Sequence, residues 1–345
     1  MSSAQRTTQT TPVLIVGGGP TGLLASLLLS RFNIDHILIE QRHAPQAAPA
    51  AHVINTRTME ILRSAGLNTE EFYALNKHGD AQFISWVNGP RDHALGKYAL
   101  MVDLEDPAAL QRFMHRAAAS PEHITNISQN LFEDALLGQA TRRNHQDIRF
   151  GHSWQGFVDG DTRRVRVLQP DGSAYEVNAA YVLAADGASS NIVRTLGITR
   201  SGPPSIATFL NMSCEIDLSQ IAGEQQSILY WCLNPSAPGT LIVHDPKALT
   251  VYMRPLYEPY ETAEEYTDAR CDALVKEMFG PDIPFRITYK GVWRMSAQVA
   301  DRFCVDNVFL VGDAAHRFPP TGGLGLNSGV GDVHNLVWKL AAILK

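Results

Sequence analysis

Three stretches of the sequence carry residues suited to binding a nucleotide cofactor. In the first, Gly17, Gly19 and Gly22 follow the apolar run VLIV with the spacing Gly-x-Gly-x-x-Gly. Glycines at this spacing make a tight turn, let the backbone approach a pyrophosphate and let a helix pack closely on the strand. Glu40 ends the next apolar run, near the ~20-residue spacing at which an acidic side chain accepts hydrogen bonds from a ribose. This stretch predicts a dinucleotide site for FAD or NAD, the alternative being a purely structural strand–helix–strand unit.

The second and third stretches each place an aspartate at the end of an apolar run. Asp186 follows YVLAA, and Asp313 follows VFLVG before a segment rich in proline and glycine. A carboxylate at a strand end can accept hydrogen bonds from the hydroxyls of a ribityl chain, although it can also cap the backbone that follows. Backbone N–H groups near Gly325, Leu326 and Asn327 would stabilise the negative charge of a reduced flavin ring. Because NAD has no ribityl chain, the third stretch favours FAD.

These stretches require strands whose ends lie beside the starts of helices. VLIV and HILIE are apolar, β-branched runs typical of buried parallel strands, and LLASLLLSRF between them has the length of a helix. Their order predicts an α/β fold with a Rossmann-like FAD-binding domain. We predict that this domain is discontinuous and comprises residues 1–80, 102–200 and 292–345.

The middle of the chain has a different composition. The runs SILYWCLN, GTLIVHD, ALTVYMRPL and FRITYKGVW are rich in aromatic and β-branched residues and predict strands. The segment TAEEYTDARCDALVKEMFG predicts a helix with Thr262 as its N-cap and Gly280 as its end. These elements predict an inserted α+β substrate-binding domain with a mixed sheet, comprising residues 81–101 and 201–291.

The composition excludes several other functions. The chain has 345 residues, enough for about two domains, and a net charge of -6 with no basic run that would indicate a nucleic-acid partner. Its four cysteines lie far apart, which indicates reduced thiols rather than a disulfide framework, and no cluster has the spacing of a metal site. The N-terminus is polar, and the longest apolar run is too short to span a bilayer. We therefore expect a cytoplasmic protein without a metal, nucleic-acid or membrane partner.

Taken together, the three stretches resemble those of the class A FAD-dependent aromatic hydroxylases, the p-hydroxybenzoate hydroxylase group. The segments AHVINTRTMEILRSAGL and SILYWCLNP are most similar to the phenol and chlorophenol hydroxylase branch. The resemblance covers Val13 to Lys345. It implies that the cofactor-binding residues are Gly17, Gly19, Gly22, Glu40, Gln111, Asp186, Asp313, Gly325, Leu326 and Asn327, whereas it names no catalytic residue.

The resemblance implies a monooxygenase that hydroxylates a phenolic or aromatic substrate with NAD(P)H and O2 through a flavin C4a-hydroperoxide. FAD would be bound throughout, and NAD(P)H would bind transiently as a co-substrate. The expected partners are a small aromatic substrate and O2, with homodimer formation left open. Two alternatives remain: a Baeyer–Villiger or epoxidising FAD monooxygenase of a polyketide-type metabolite, and a shortened flavin-binding protein without full activity.

The sequence departs from the family pattern at two places. Many relatives have an arginine immediately before the segment that begins at Ala51, where this chain has Ala50. The positioning of the flavin would then depend on other groups, such as Arg42 or Arg57. Relatives also continue beyond the helix that ends at Lys345, so we expect the C-terminal part of the family fold to be missing from this sequence.

Overall fold

The computed structural model describes residues 8–47, 49–78, 83–99, 106–221 and 226–345. Contacts between residues divide the chain into two compact units. The first comprises Met1–Ala74, Ser128–Pro203 and Ala297–Lys345, and the second comprises Leu75–Ile127 and Pro204–Ser296. The sequence assigned residues 102–200 to the FAD-binding domain, whereas contacts group the described residues 106–127 with the second unit. The predicted boundaries at residues 80/81 and 101/102 lie outside the described residues.

The first unit is built from strands and helices that are numbered here in chain order across both units. Its strands are β1 (Thr8–Val16), β2 (His36–Glu40), β3 (Val53–Ile54), β7 (Gln146–Phe150), β8 (Ser153–Val158), β9 (Asp161–Leu168), β10 (Ala174–Ala184), β11 (Arg200–Ser201), β17 (Gln298–Ala300), β18 (Cys304–Val305), β19 (Val308–Leu310) and β20 (His316–Arg317). Its helices are α1 (Pro20–Arg31), α2 (Thr56–Ser64), α3 (Thr69–Tyr73), α5 (Gln129–Ala140), α6 (Asn191–Thr195) and α8 (Leu324–Leu344).

The main sheet of the first unit has the order β18-β19-β10-β1-β2-β7 among the described residues, and β9 and β8 extend it from β10. Strands β19, β10, β1, β2 and β7 are parallel to one another, whereas β18 pairs with β19 in the antiparallel direction. The central strands are apolar on both faces because neither face meets water: residues 13–15 and 182–184 are fully buried. This parallel sheet confirms the predicted Rossmann-like α/β architecture.

Helix α1 is apolar on nearly every face for the same reason. Residues 22–30 are all buried, and the helix packs against α5, α8 and the sheet. A helix surrounded by protein cannot show a polar stripe, so the sequence LLASLLLSR lacks the usual amphipathic pattern. Within the described residues, no helix is long and apolar enough to cross a lipid bilayer.

The second unit contains a mixed sheet with helices, as the sequence predicts. Its strands are β4 (Phe83–Val87), β5 (Gly96–Ala99), β6 (Thr125–Asn126), β12 (Ala207–Ile216), β13 (Leu229–Cys232), β14 (Gly239–Asp245), β15 (Leu249–Leu256) and β16 (Phe285–Met295), and its helices are α4 (Pro107–Ala119) and α7 (Asp268–Phe279). Seven of these strands form one sheet in the order β16-β12-β15-β14-β13-β4-β5 among the described residues. The four predicted strand runs coincide with β13, β14, β15 and β16.

The start of helix α7 differs from the prediction. The sequence placed the N-cap at Thr262, but Thr262 precedes only a short 3-10 turn, and α7 begins after Thr267. The side chain of Thr267 caps α7 by accepting a hydrogen bond from the Arg270 N–H at 3.3 Å. Tyr266, which is buried, interrupts the helical backbone between these two threonines. The predicted end is confirmed, because Gly280 adopts a positive φ of 100°.

We expect Gly22→Ala to destabilise the first unit. A Cβ at Gly22 would lie 1.9 Å from the Gly17 carbonyl oxygen, so α1 would have to move away from the turn. Such overpacking costs about 1–3 kcal/mol of unfolding free energy. The matched control is Gly138→Ala in α5, where a Cβ would meet no atom within 4 Å; it should stabilise the protein by roughly 0.5–1 kcal/mol. Urea unfolding measures both, and equal effects would contradict the steric argument.

Candidate cofactor site

The candidate site lies where the four central parallel strands of the first unit end together. Ile39, Val16, Ala184 and Leu310 are neighbours in register across β2, β1, β10 and β19. The residues that follow them are those of the three predicted stretches. A site of this kind is expected at the carboxyl ends of strands in an open α/β sheet, where loops and helix starts converge.

The three glycines of the first stretch have different surroundings. Gly17 has a φ of 114°, and a Cβ there would lie 2.2 Å from the Ala185 carbonyl oxygen. Gly22 packs against Gly17 itself. At Gly19, by contrast, a Cβ would meet no protein atom within 4 Å. Gly17 and Gly22 are therefore required by packing, whereas the open space at Gly19 is what a pyrophosphate needs to approach the backbone closely.

Helix α1 begins at this open position. Its N-cap is Gly19, which has no side chain to accept a hydrogen bond from the first turn, and its first residue is Pro20. The N–H groups of Thr21 and Gly22 therefore lack an intrahelical acceptor. Together with the positive end of the helix dipole, they form a place where an anion is stabilised. The geometry fits the phosphates of a dinucleotide.

Glu40 lies at the end of β2 and is 5% exposed. One carboxylate oxygen accepts hydrogen bonds from the Gly18 N–H at 2.6 Å and from Arg42 Nη2 at 3.4 Å. The other accepts from the Arg42 N–H at 2.8 Å and from Arg42 Nε at 3.0 Å. Desolvation opposes ionisation, but the bonds from Arg42 and Gly18 prevail and hold the pKa of Glu40 below its usual value. Glu40 is thus an ionised acceptor that Arg42 already shares.

Asp186 follows β10 and contacts the first turn of helix α6, whose N-cap is Ser190. Its Oδ2 accepts a hydrogen bond from the Ile192 N–H at 3.3 Å. Its Oδ1 is buried and has no hydrogen-bond partner among the described residues. Desolvation raises the pKa of Asp186, although hydrogen bonds from Ser190 and from the start of α6 oppose this effect. Asp186 thus uses Oδ2 to hold the first turn of α6, and its Oδ1 can still accept a hydrogen bond that no described residue donates.

Asp313 lies in a 3-10 turn, Gly312–Ala314, that follows β19. Asp313 is exposed at the surface, but protein atoms surround its carboxylate. The resulting desolvation raises the pKa of Asp313, and the positive charges of His316 and Arg317 oppose this rise without cancelling it. A Cβ at Gly325 would lie 3.9 Å from Asp313 Oδ1. The fold therefore brings the predicted ribityl-binding carboxylate next to the start of α8, as the flavin interpretation requires.

Helix α8 also begins at a glycine. Gly323 is its N-cap, with a φ of 63°, and no side chain caps the first turn. Because Gly325 and Leu326 are the second and third residues of the helix, their N–H groups have no intrahelical acceptor. A helix of 21 residues adds the positive end of its dipole at this position. Such a terminus can stabilise negative charge on a flat ring.

The side chain of Asn327 fixes the start of α8. Its Nδ2 donates to the carbonyl oxygens of Val53 at 2.9 Å and Gly323 at 2.6 Å. Its Oδ1 accepts from the Asn55 N–H at 3.0 Å and from Thr58 Oγ1 at 2.7 Å. As the fourth residue of α8, Asn327 thus ties the helix start to the segment that enters α2.

Sequence reasoning did not single out Thr21, which joins the first and third stretches. A Cβ on Gly312 would lie 2.8 Å from Thr21 Oγ1, and one on Gly329 would lie 2.4 Å from the same atom. The glycines let α1, α8 and the turn that carries Asp313 approach one another.

Gln111 lies on α4 in the second unit and is exposed. Its cofactor contact therefore stays a prediction.

We expect Glu40→Gln to lower stability at neutral pH and to have a smaller effect in acid. The folded-state pKa of Glu40 is lowered, so its ionised form contributes stability above the unfolded-state pKa, and this contribution is lost as pH falls through the folded-state pKa. At pH 7 the loss should be roughly 1.5–3 kcal/mol, the range for hydrogen bonds to charged groups. Urea unfolding at a series of pH values measures it. The control is Glu215→Gln, whose exposed ion pair with Arg286 should matter by less than about 1 kcal/mol.

Comparisons with known proteins agree with this geometry. The FAD binding domain family matches residues 10–345. A putative polyketide hydroxylase of Streptomyces halstedii is 34% identical over 344 residues, which cover 96% of this chain and 59% of that protein. The 2,4-dichlorophenol 6-monooxygenase of Delftia acidovorans is 28% identical, with coverage of 97% of this chain and 58% of that protein.

A solved structure extends the likeness to the fold. The ternary complex of aklavinone-11 hydroxylase with FAD and aklavinone has a TM-score of 0.86 and 29% identity, covering 100% of this chain and 63% of that chain. The sequence thus spans less than two thirds of the length of these relatives. Because the family match extends over nearly the whole sequence, the chain belongs to the FAD binding domain family, with FAD as its cofactor.

Proposed function

We propose that this chain is the FAD-binding and substrate-binding part of a monooxygenase that hydroxylates an aromatic ring, with NAD(P)H and O2 as co-substrates. The observation that carries the proposal is the convergence of two glycine-capped helix starts and the Asp313 carboxylate at one sheet edge of the first unit. The hydroxylase and monooxygenase names of the relatives support the same reaction class.

Each side of FAD has residues of the first unit that suit it. The N–H groups at the start of α1 would bind the pyrophosphate, and Glu40 would accept a ribose hydroxyl while Arg42 shares its carboxylate. Asp313 would accept a hydrogen bond from the ribityl chain. The N–H groups of Gly325 and Leu326 would face the carbonyl edge of the flavin ring. Gln111, Asp186 and Asn327 complete the proposed cofactor set, Asn327 by fixing the start of α8.

When bound, FAD supplies electron transfer from NAD(P)H and the activation of O2, chemistry that no amino-acid side chain provides. The contribution of the chain is electrostatic. The start of α8 would stabilise negative charge on the flavin ring, and its N–H groups are already oriented by Asn327 and Gly323, so little reorganisation would be needed. Asp313, beside this helix start, would hold the ribityl chain.

The proposed substrate is an aromatic compound with a phenolic hydroxyl group. Relatives named for dichlorophenol, for aklavinone and for a polyketide support this substrate class. A phenol is electron-rich, and such a ring accepts an electrophilic oxygen readily.

The purified chain should be yellow, and it should consume NAD(P)H slowly until a phenol is added. Binding of a substrate that gates flavin reduction prevents the loss of reducing equivalents as hydrogen peroxide. The visible spectrum measures FAD, and absorbance at the nicotinamide band measures turnover across a panel of small phenols and polycyclic phenolic polyketides. A peroxide assay and product mass spectra separate hydroxylation from uncoupled oxidation.

Two results would contradict the proposal. If FAD binds but no phenol in the panel changes NAD(P)H consumption, the chain is a flavin-binding protein without full activity. If a product gains oxygen within a ring or as an epoxide, rather than as a hydroxyl group, the reaction belongs to the Baeyer–Villiger or epoxidising class.

We expect Asp313→Ala to weaken FAD binding about 10- to 150-fold, because it removes a hydrogen bond to a charged group worth roughly 1.5–3 kcal/mol. Asp313→Asn should retain more affinity, since its amide oxygen still accepts one bond. Titration of apoprotein with FAD, followed by flavin fluorescence, measures the dissociation constant. If instead the alanine variant keeps its FAD affinity but unfolds at a lower temperature, Asp313 is a backbone cap.

A further inference from the structure

One partly buried carboxylate holds both ends of the turn that carries Asp313. Asp332, on α8, accepts a hydrogen bond from the Gly312 N–H at 2.8 Å through Oδ2. The same oxygen is 2.7 Å from His316 Nε2. Gly312 is the first residue of the turn, and His316 follows shortly after its end. Asp332 is not among the residues that the sequence patterns single out, and the proposed function gives it no role.

His316 is enclosed by charged and aromatic groups. Its side chain is 7% exposed, and its ring packs against Phe303 at 6.2 Å and Phe318 at 5.0 Å between centroids. The charged groups that face it are Asp332 from α8 and Asp313 from the turn. Nδ1 is buried and has no hydrogen-bond partner among the described residues. The imidazole is therefore in hydrogen-bond contact with one carboxylate and interacts electrostatically with a second.

The charge of His316 follows from these neighbours. Burial disfavours the imidazolium, but the hydrogen bond and charge of Asp332, followed by the charge of Asp313, prevail and raise the pKa of His316 above 6.5. A protonated His316 donates Nε2–H to Asp332 and lowers the cost of ionising Asp313. A neutral His316 would remove the positive charge with which both carboxylates interact.

We propose that Asp332 and His316 form a positioning pair that holds the Gly312–Ala314 turn and the ionised Asp313 in place for FAD, and that makes FAD affinity depend on pH. The inference rests on the proposed contact between Asp313 and the ribityl chain. A 3-10 turn of three residues has too few internal hydrogen bonds to fix its own direction. Gly312 has a φ of 60°, and the bond from its N–H to Asp332 joins this turn to the long helix α8.

The sign of the pH dependence follows from linkage. The folded state binds the His316 proton more tightly than the unfolded state, so the pair contributes full stability below pH ~6.5 and loses it as pH rises through the folded-state pKa. FAD affinity should follow the same course. It should be constant in weak acid and fall through the titration of His316, because the positive charge of the imidazolium strengthens the bond to Asp332 and lowers the cost of ionising Asp313.

The test is the dissociation constant of FAD from pH about 5.5 to 9, a range that spans histidine titration. Wild type, Asp332→Asn, His316→Gln and the control Asp268→Asn are compared; Asp268 forms an exposed ion pair with Lys290 in the second unit. We expect Asp332→Asn to bind FAD roughly tenfold more weakly at low pH, ~1.4 kcal/mol, with its inflection moved to lower pH. Asp268→Asn should match wild type.

His316→Gln decides the matter if Asp332→Asn fails to fold. Its amide can still donate to Asp332, so the turn should hold. Because no imidazolium forms, FAD affinity should stay near the lower wild-type value of high pH at every pH, without an inflection. Thermal unfolding of each apoprotein separates loss of stability from loss of affinity. The inference is overturned if Asp332→Asn and His316→Gln lower the melting temperature but leave the FAD affinity and its pH profile as in wild type.

Asp313→Ala, measured in the same series, distinguishes this inference from the proposed function. Wild-type protein that fails to bind FAD contradicts the proposed function and, with it, the positioning pair. Wild-type protein that binds FAD and loses affinity on Asp313→Ala, while the Asp332 and His316 variants keep wild-type affinity and pH profile, contradicts the positioning pair alone.

Discussion

The close approach of Gly22 to the Gly17 carbonyl oxygen is the contact on which the site depends. This contact packs α1 directly against the turn after β1. The same turn, at Gly17, packs against Ala185 at the end of β10. Any side chain at either glycine would separate the helix from the strands. The start of α1 would then no longer lie at the sheet edge that carries Asp186 and Asp313. Its N–H groups would no longer face the proposed cofactor site.

Both helices at the site are left uncapped by side chains. Gly19 and Gly323 are the N-caps of α1 and α8. By contrast, α2 is capped by the side chain of Asn55, α4 by that of Asp106 and α7 by that of Thr267. A capping side chain would stabilise its helix by about 1 kcal/mol and would occupy the N–H groups that an anion needs. The chain therefore gives up local stability at the two helix starts that lie beside the cofactor residues.

Near the candidate site, two carboxylates are paired with positively charged side chains and backbone N–H groups. Glu40 is held ionised by Arg42 and the Gly18 N–H, and Asp332 is paired with His316 and the Gly312 N–H. Carboxylates withdrawn from water are costly unless hydrogen bonds and opposite charges offset their desolvation. Each pair also joins a regular element to a neighbouring turn, so electrostatic compensation and positioning are achieved by the same contacts. Asp186 Oδ1 and Asp313 differ, because they keep acceptor capacity that no described protein group uses.

The sequence by itself determined the strands that precede the three stretches, the order of the motifs and the glycine positions, because short-range sterics and burial of apolar runs fix them locally. It also predicted FAD, from the acid at the end of β19 and the glycine-rich segment beyond. Only the tertiary structure decided which groups share a site. Asp332 lies in an ordinary helical pattern, and Arg42 lies two residues after Glu40, so neither has a local signature of its role. The start of α7 at Thr267 rather than Thr262 likewise depends on the burial of Tyr266. Such contacts depend on packing between residues far apart in the sequence, and a local sequence pattern does not predict that packing.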